Sequence, residues 1–206
     1  MSRRRLPSNP LTFDMDVWTG LSYGQHPEQA IDVWELNDLA PRAGWPAVLL
    51  FSDGPEKSDS HETFSLLGPL LARRGVLVAR ASLRWHAPWT ELQADCLGAI
   101  DRIMGLQINP KRVGLWGVGR GATLAVHAAL SLQAHSIRAV VSVGSSPDHY
   151  PEAPSLPDIL PQATQHLSLP ASAGLRQQQQ AHRWLVKTIA DQQRGSKWKF
   201  RKKKDR

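Results

Sequence analysis

The sequence predicts an α/β fold: a doubly wound, mostly parallel sheet with an antiparallel hairpin on its N-terminal side. Three observations predict it. From residue 45 to residue 143, short apolar runs alternate with segments of helical periodicity. The runs are continuous rather than alternating, which is what strands buried on both faces require. The connections between them are short, as in repeated strand–helix units that build a parallel sheet. At 206 residues the chain has the length of one domain with a substantial core.

The first fifteen residues carry Arg3, Arg4, Arg5, Pro7 and Pro10 without periodicity and read as a loose basic arm. Asp16-Val17-Trp18 and Ala30-Ile31-Asp32-Val33-Trp34-Glu35-Leu36 alternate apolar and polar residues, as half-buried strands do. Tyr23-Gly24-Gln25-His26-Pro27 between them reads as the turn of the hairpin. Trp45-Pro46-Ala47-Val48-Leu49-Leu50-Phe51 is the first buried strand. A helix is predicted over about 61–74, with Phe64, Leu67 and Leu71 on one side and Gly75 as its stop. Val76-Leu77-Val78-Ala79 is the second buried strand. Next comes a helix whose apolar stripe is Leu92, Cys96, Ala99, Ile100 and Ile103.

Beyond Pro110, Arg112-Val113-Gly114-Leu115-Trp116 is the third buried strand. A helix over 122–132 turns Leu124, Ala125, Ala128 and Ala129 inward, and Ala139-Val140-Val141-Ser142-Val143 is the fourth. Residues 151–172 are rich in Pro, Ser, Ala and Gln and predict no strand. Residues 175–193 predict a helix with Ala181, Leu185 and Ile189 on one face and the Gln177 to Gln180 run in solvent. The domain is therefore expected over 16–193, followed by a tail over 194–206.

The net charge of +7 is a property of the ends. The tail, RGSKWKFRKKKDR, holds eight Lys or Arg against one Asp, so it carries +7 by itself and the rest of the chain sums to zero. Lys197, Trp198, Lys199, Phe200, Arg201, Lys202, Lys203 and Lys204 interleave cations with aromatics. Such a segment suits an acidic protein, a nucleic acid or an anionic membrane surface as partner. The single cysteine, Cys96, falls on an apolar helix stripe and reads as a core residue; it suits a reducing, cytoplasmic compartment. No apolar run is long enough to span a membrane, and the start of the chain lacks the apolar stretch of a secretory signal. The eight histidines show no metal-ligand spacing, so neither metal nor cofactor is expected, and His127 reads as a packing residue.

Several landmarks resemble the α/β-hydrolase superfamily, in particular small esterases related to feruloyl and acetyl esterases, hormone-sensitive lipase and prolyl-oligopeptidase-like peptidases. They are Tyr23-Gly24, Ile31-Asp32-Val33-Trp34, Pro46 to Phe51, Leu71-Ala72-Arg73-Arg74-Gly75-Val76-Leu77-Val78, Asp95, and Asn109-Pro110-Lys111-Arg112-Val113-Gly114-Leu115-Trp116-Gly117. They stand in the family's order and at about its spacing over residues 23–148. The resemblance implies a truncated α/β-hydrolase fold, and it places the Gly-x-Ser-x-Gly nucleophile turn at Gly117-Val118-Gly119-Arg120-Gly121. Both flanking glycines are present, but Gly119 stands where the serine belongs.

The family's oxyanion loop corresponds to Ser52-Asp53-Gly54-Pro55, where Asp53 brings a negative charge and Pro55 lacks an N–H. The triad's acid and histidine follow two further strands in the family. Here the later chain offers Glu152, Asp158 and Asp191, and His149, His166 and His182, with no apolar strand before any of them except the segment ahead of Asp148 and His149. No catalytic residue is therefore assigned. The expected function is that of a non-catalytic scaffold or binding protein for an anionic partner, with a protein partner covering the sheet edge that a short C-terminal region leaves open.

Two other readings follow from the same residues. One is an esterase or peptidase-like hydrolase whose nucleophile has moved to Ser142, Ser145 or Ser146. The other is a receptor for a small acid in a vacated pocket near Ser52, Asp53 and Gly119. In that reading Arg120 and the helix N-terminus would hold the anion.

Overall fold

The structure is a computed structural model and describes residues 2–3, 15–37, 39–54, 58–132, 137–153, 164–173 and 175–190. In chain order the elements are β1 (Ser2–Arg3), β2 (Met15–Ser22), β3 (Ala30–Leu36), β4 (Trp45–Phe51), α1 (Ser58–Ala72), β5 (Leu77–Ser82), α2 (Trp89–Met104), β6 (Ile108–Val118), α3 (Arg120–Ser131), β7 (Ile137–Val143), β8 (Gln165–Leu169) and α4 (Leu175–Ala190). A 3-10 turn, Pro147–His149, follows β7. Eight strands form one sheet in the order β1-β2-β3-β5-β4-β6-β7-β8. β1, β2, β3 and β5 pair antiparallel in sequence across the sheet; β5, β4, β6, β7 and β8 pair parallel.

The continuous apolar runs follow from burial on two faces. Along β4, Ala47, Leu49 and Phe51 point to one face and Val48 and Leu50 to the other, all fully buried. On the first face lie α2 and α3, with Leu92, Cys96, Ala99, Ile100 and Ile103 of α2 packed beside Leu124, Ala125 and Ala128 of α3. On the second face lie α1, through Phe64, Leu67 and Leu71, and α4, through Ala181, Leu185 and Ile189. Gly68 lets α1 sit on the Trp34 indole, where a β-carbon would come within 3.0 Å of the ring. Each predicted helix stripe thus becomes a packed face.

Three expectations change. Ser2–Arg3, read as part of a loose arm, pair with Trp18 and Thr19 as a short edge strand. A strand, β8, exists where none was predicted, pairing parallel with β7 from Ala139↔Gln165 to Val143↔Leu169. Its sequence, QHLSL, lacks an apolar run because it is the outermost strand and stays half in solvent. The helix predicted over 61–74 starts at Ser58 and ends at Ala72, and Gly75 with φ 74° turns the chain just beyond it. The remaining elements stand where they were expected, with ends moved by a few residues. The arm over 4–14 and the tail over 191–206 lie outside the described residues.

Two buried polar groups tie the layers together. Asp95 on α2 is 1% exposed and accepts from Gln29 Nε2 at 2.7 Å, Arg84 Nη2 at 2.7 Å and the Arg84 backbone N–H at 3.1 Å. It therefore joins the hairpin turn to the loop after β5. Burial opposes its ionisation, but the hydrogen bonds from Arg84 and Gln29 outweigh burial and hold the carboxyl below its ordinary value. On the other face, Arg74 Nη1 approaches His182 Nδ1 at 3.0 Å and closes α4 against the end of α1. Arginine can only donate, so the imidazole accepts with an unprotonated nitrogen. Burial first, then Arg74 and Arg183, lower the His182 pKa to about 4.

Two outcomes follow. Asp95→Ala leaves Arg84 and Gln29 without their shared acceptor and lowers stability by about 3 kcal/mol in urea unfolding at neutral pH. His182 is protonated more readily unfolded than folded. Its contribution is therefore complete above the unfolded value of about 6.5 and is lost as pH falls from there toward 4, where it levels off. Unfolding midpoints across that window shift less in His182→Gln than in the parent.

Candidate functional site

At the C-terminal ends of β4 and β6 the chain makes a sharp strand-to-helix turn. β6 ends at Val118, Gly119 adopts φ 54° and ψ −121°, and α3 begins at Arg120. That backbone conformation is one that residues with side chains rarely adopt. The flanking glycines are needed for close approach. A β-carbon at Gly117 would overlap Gly121 O and Ala122, and one at Gly121 would overlap the carbonyls of Phe51 and Ser52. Gly119 N–H donates to Val143 O at 2.8 Å, which hangs the turn on β7.

The space above Gly119 is filled. A β-carbon there would overlap the carboxylate of Asp53, which comes from the loop after β4 and is 8% exposed. Asp53 Oδ1 accepts the backbone N–H of Arg120 at 2.7 Å. This donor is the one that, in an active enzyme of this turn type, faces the developing oxyanion. Gly119 offers α3 no side-chain cap, so Asp53 serves as a cap delivered from another loop, where the helix dipole favours an anion.

The Arg120 side chain folds back over the loop after β4. Its guanidinium occupies the place a Gly54 β-carbon would take, and its carbon centre lies 5.2 Å from the Trp85 ring centroid. Arg120 is half-buried. Beside it Tyr150 is 6% exposed and tilts against Trp89, with 4.9 Å between ring centroids. Among the described residues its hydroxyl has no hydrogen-bond partner. Burial raises its pKa, with Arg120 acting against that shift and Asp53 with it.

The other sequence candidates scatter. Ser142 on β7 is fully buried, and its hydroxyl meets His166 Nε2 of β8 at 2.8 Å. Burial lowers the His166 pKa. Ser146 Oγ lies 3.4 Å from Asp148 Oδ2 and accepts the Asp148 N–H at 3.2 Å, closing the turn after β7. Thr123 Oγ1, one turn into α3, contacts His149 Nδ1 at 3.1 Å. Glu152 is exposed, and His182 is engaged with Arg74. Asp158, Asp191 and the tail residues Lys197 to Lys204 lie outside the described residues.

Cys96 is buried in the core with its thiol pKa pushed up by burial, and His127 packs edge-on against Trp89 at 4.6 Å. Among the described residues no cluster of His, Cys, Asp and Glu could hold a metal, and no helix is long and apolar enough to cross a membrane. Sequence reasoning missed the Ser142–His166 and Thr123–His149 contacts and the Trp85–Arg120–Tyr150 grouping. A polar serine inside an otherwise apolar strand was the one available signal.

No family model matches the sequence, and no curated protein matches it. Solved structures do. A truncated carbohydrate esterase from gut microbiota superposes with a TM-score of 0.59 at 12% identity, over 84% of this chain and 96% of that one. Esterase B from Lactobacillus rhamnosis gives 0.56 at 16% identity, over 87% of this chain. MGS-M1, an alpha/beta hydrolase from a Medee basin deep-sea metagenome library, gives 0.54 at 18%, over 85% of this chain and 98% of that one. The fold is that of the α/β hydrolases. Against esterase B the chain spans 57% of that protein's length.

The packing of Asp53 over Gly119 has a measurable signature. Asp53→Ala removes the cap of α3 and costs about 1 kcal/mol. Gly119→Ser forces a side chain into the carboxylate and costs more, about 2–3 kcal/mol with the backbone strain. Because the clash exists only when both side chains are present, Asp53→Gly recovers part of the loss in the Gly119→Ser background. A double-mutant cycle by urea unfolding reads this as non-additivity of about 1 kcal/mol or more.

Proposed function

We propose that this chain is a non-catalytic α/β-hydrolase-fold protein that acts by binding, a scaffold that engages an anionic partner through its basic ends. The observation that carries the reading is the Asp53 carboxylate over Gly119 and on the Arg120 N–H. One side chain takes both the nucleophile's space and an oxyanion donor, and it puts negative charge where a tetrahedral intermediate would need positive potential. The fold around it is intact, so the scaffold persists where the chemistry is lost. A body without net positive charge, ending in a tail of +7, directs anion binding to the tail rather than to the turn.

One observation favours a hydrolase with a displaced nucleophile: the Ser142 hydroxyl lies 2.8 Å from an imidazole nitrogen of His166. Against it, Ser142 is 0% exposed, so no substrate carbonyl can reach its oxygen without opening of β8.

The two readings separate in one set of assays on the full chain. The proposed function expects no hydrolysis of p-nitrophenyl acetate above buffer and no labelling by a fluorophosphonate. It also expects retention on a heparin column that weakens steeply with salt and disappears on deletion of residues 197–206. Labelling that Ser142→Ala abolishes would overturn it in favour of the hydrolase. Retention unchanged by the deletion would remove the tail as the binding element.

A further inference from the structure

At the other end of β6 from the glycine turn the chain forms a second concavity. It lies between the β2–β3 ribbon and the end of α2, and its volume is about 300 Å³. That is the lower end of the range typical of small-molecule sites, roughly 300–1,000 Å³. Its floor is apolar, formed by Leu21 and Val33, 7% and 1% exposed, with Leu106 from the turn before β6. The Trp18 indole makes one wall, and Trp18 Nε1 donates to Glu35 Oε1 at 2.9 Å, which holds both the ring and the carboxylate in place.

Arg102 lines the cavity as well. Its position in the last turn of α2 is favourable for a cation at a helix C-terminus, which explains why a basic residue stands there. It does not explain the head group. Arg102 is half-buried, and among the described residues its Nε, shielded from solvent, has no hydrogen-bond partner. A cationic side chain lining an apolar cavity favours an anion from outside the chain. Glu35 and Arg102 face the same cavity with opposite charges, yet they do not touch each other.

We propose that this cavity binds a small zwitterion with an apolar body, of the chemistry of an apolar α-amino acid. Its carboxylate meets Arg102, its ammonium meets Glu35, and its side chain lies on Trp18, Leu21, Val33 and Leu106. A plain carboxylic acid would gain Arg102 but meet Glu35 as a like charge, and a plain amine would meet Arg102 in the same way. A zwitterion satisfies both and keeps the site neutral overall. None of these residues belongs to the glycine turn or the tail, so the inference stands or falls separately from the proposed function.

The test is saturation-transfer NMR and calorimetry on the full chain with L-leucine and L-phenylalanine, beside hexanoate and hexylamine. An amino acid is expected to bind with Kd of about 0.1–1 mM, and the two single-charge compounds about tenfold more weakly or worse. Arg102→Gln and Glu35→Gln each weaken the amino acid by about tenfold, since each removes one charge-assisted contact. The glutamine at position 35 keeps an acceptor for Trp18, so the wall survives. Leu106→Trp fills the cavity and abolishes binding, with an unchanged thermal transition confirming the fold. Three outcomes overturn the proposal: no amino-acid binding up to about 10 mM, hexanoate binding as tightly as the amino acids in the parent, or amino-acid binding that survives Leu106→Trp in a folded variant.

Discussion

How closely the N-terminus of α3 approaches the ends of β4 and β6 governs the C-terminal edge of this sheet. Backbone meets backbone there: Gly117 touches the first turn of α3, and Gly121 touches the carbonyls of Phe51 and Ser52. Any β-carbon at either place would push the helix off the sheet, so the contact requires glycine twice. The same approach sets Gly119 in a conformation that suits glycine and leaves the first N–H of the helix aimed at the loop after β4. An N–H in that position needs an acceptor, because a buried donor left unpaired is costly. Asp53 supplies it. The geometry that in hydrolases of this fold serves catalysis is stabilised here by a carboxylate of the chain itself.

Around that contact the molecule is arranged in two apolar layers on a sheet whose strands differ in exposure. β4, β6 and β7 lie inside with both faces covered, while β1 and β8 form the margins. Two of the polar groups that enter the interior are held by partners from other elements. Asp95 is held by Arg84 and Gln29, and His182 by Arg74. Burial acts oppositely on the two, raising a carboxyl and lowering an imidazole. At Asp95 the hydrogen bonds reverse the sign, whereas at His182 the neighbouring arginines add to it.

The sequence was most legible where one rule of burial applied without competition. The runs from Trp45 to Phe51 and from Ala139 to Val143 announce two-sided strands, and the stripe from Leu92 to Ile103 announces a helix face. Legibility failed at β8 because an edge strand of QHLSL carries neither an apolar run nor a clear alternation; its place is set by pairing with β7. At the candidate site, Gly117, Gly119 and Gly121 could be read as a turn lacking its nucleophile. What fills the space could not be read, since Asp53 reaches Gly119 across a separation that leaves no local pattern. Ser142 illustrates the converse: a serine was visible in the strand, but its partner His166 lay on the strand that could not be seen.

The link between Asp53 and Arg120 spans 67 positions of chain and passes between strands that are neighbours only in the finished sheet. A turn whose favoured acceptor arrives from so far away gains little from its own neighbours, and its glycine remains free to sample other conformations until β4 and β6 are paired. Contacts of high sequence separation form after the loop-closure entropy has been met. The glycine turn is therefore expected to be completed with the sheet rather than to nucleate it, and substitutions there to accelerate unfolding more than they slow folding.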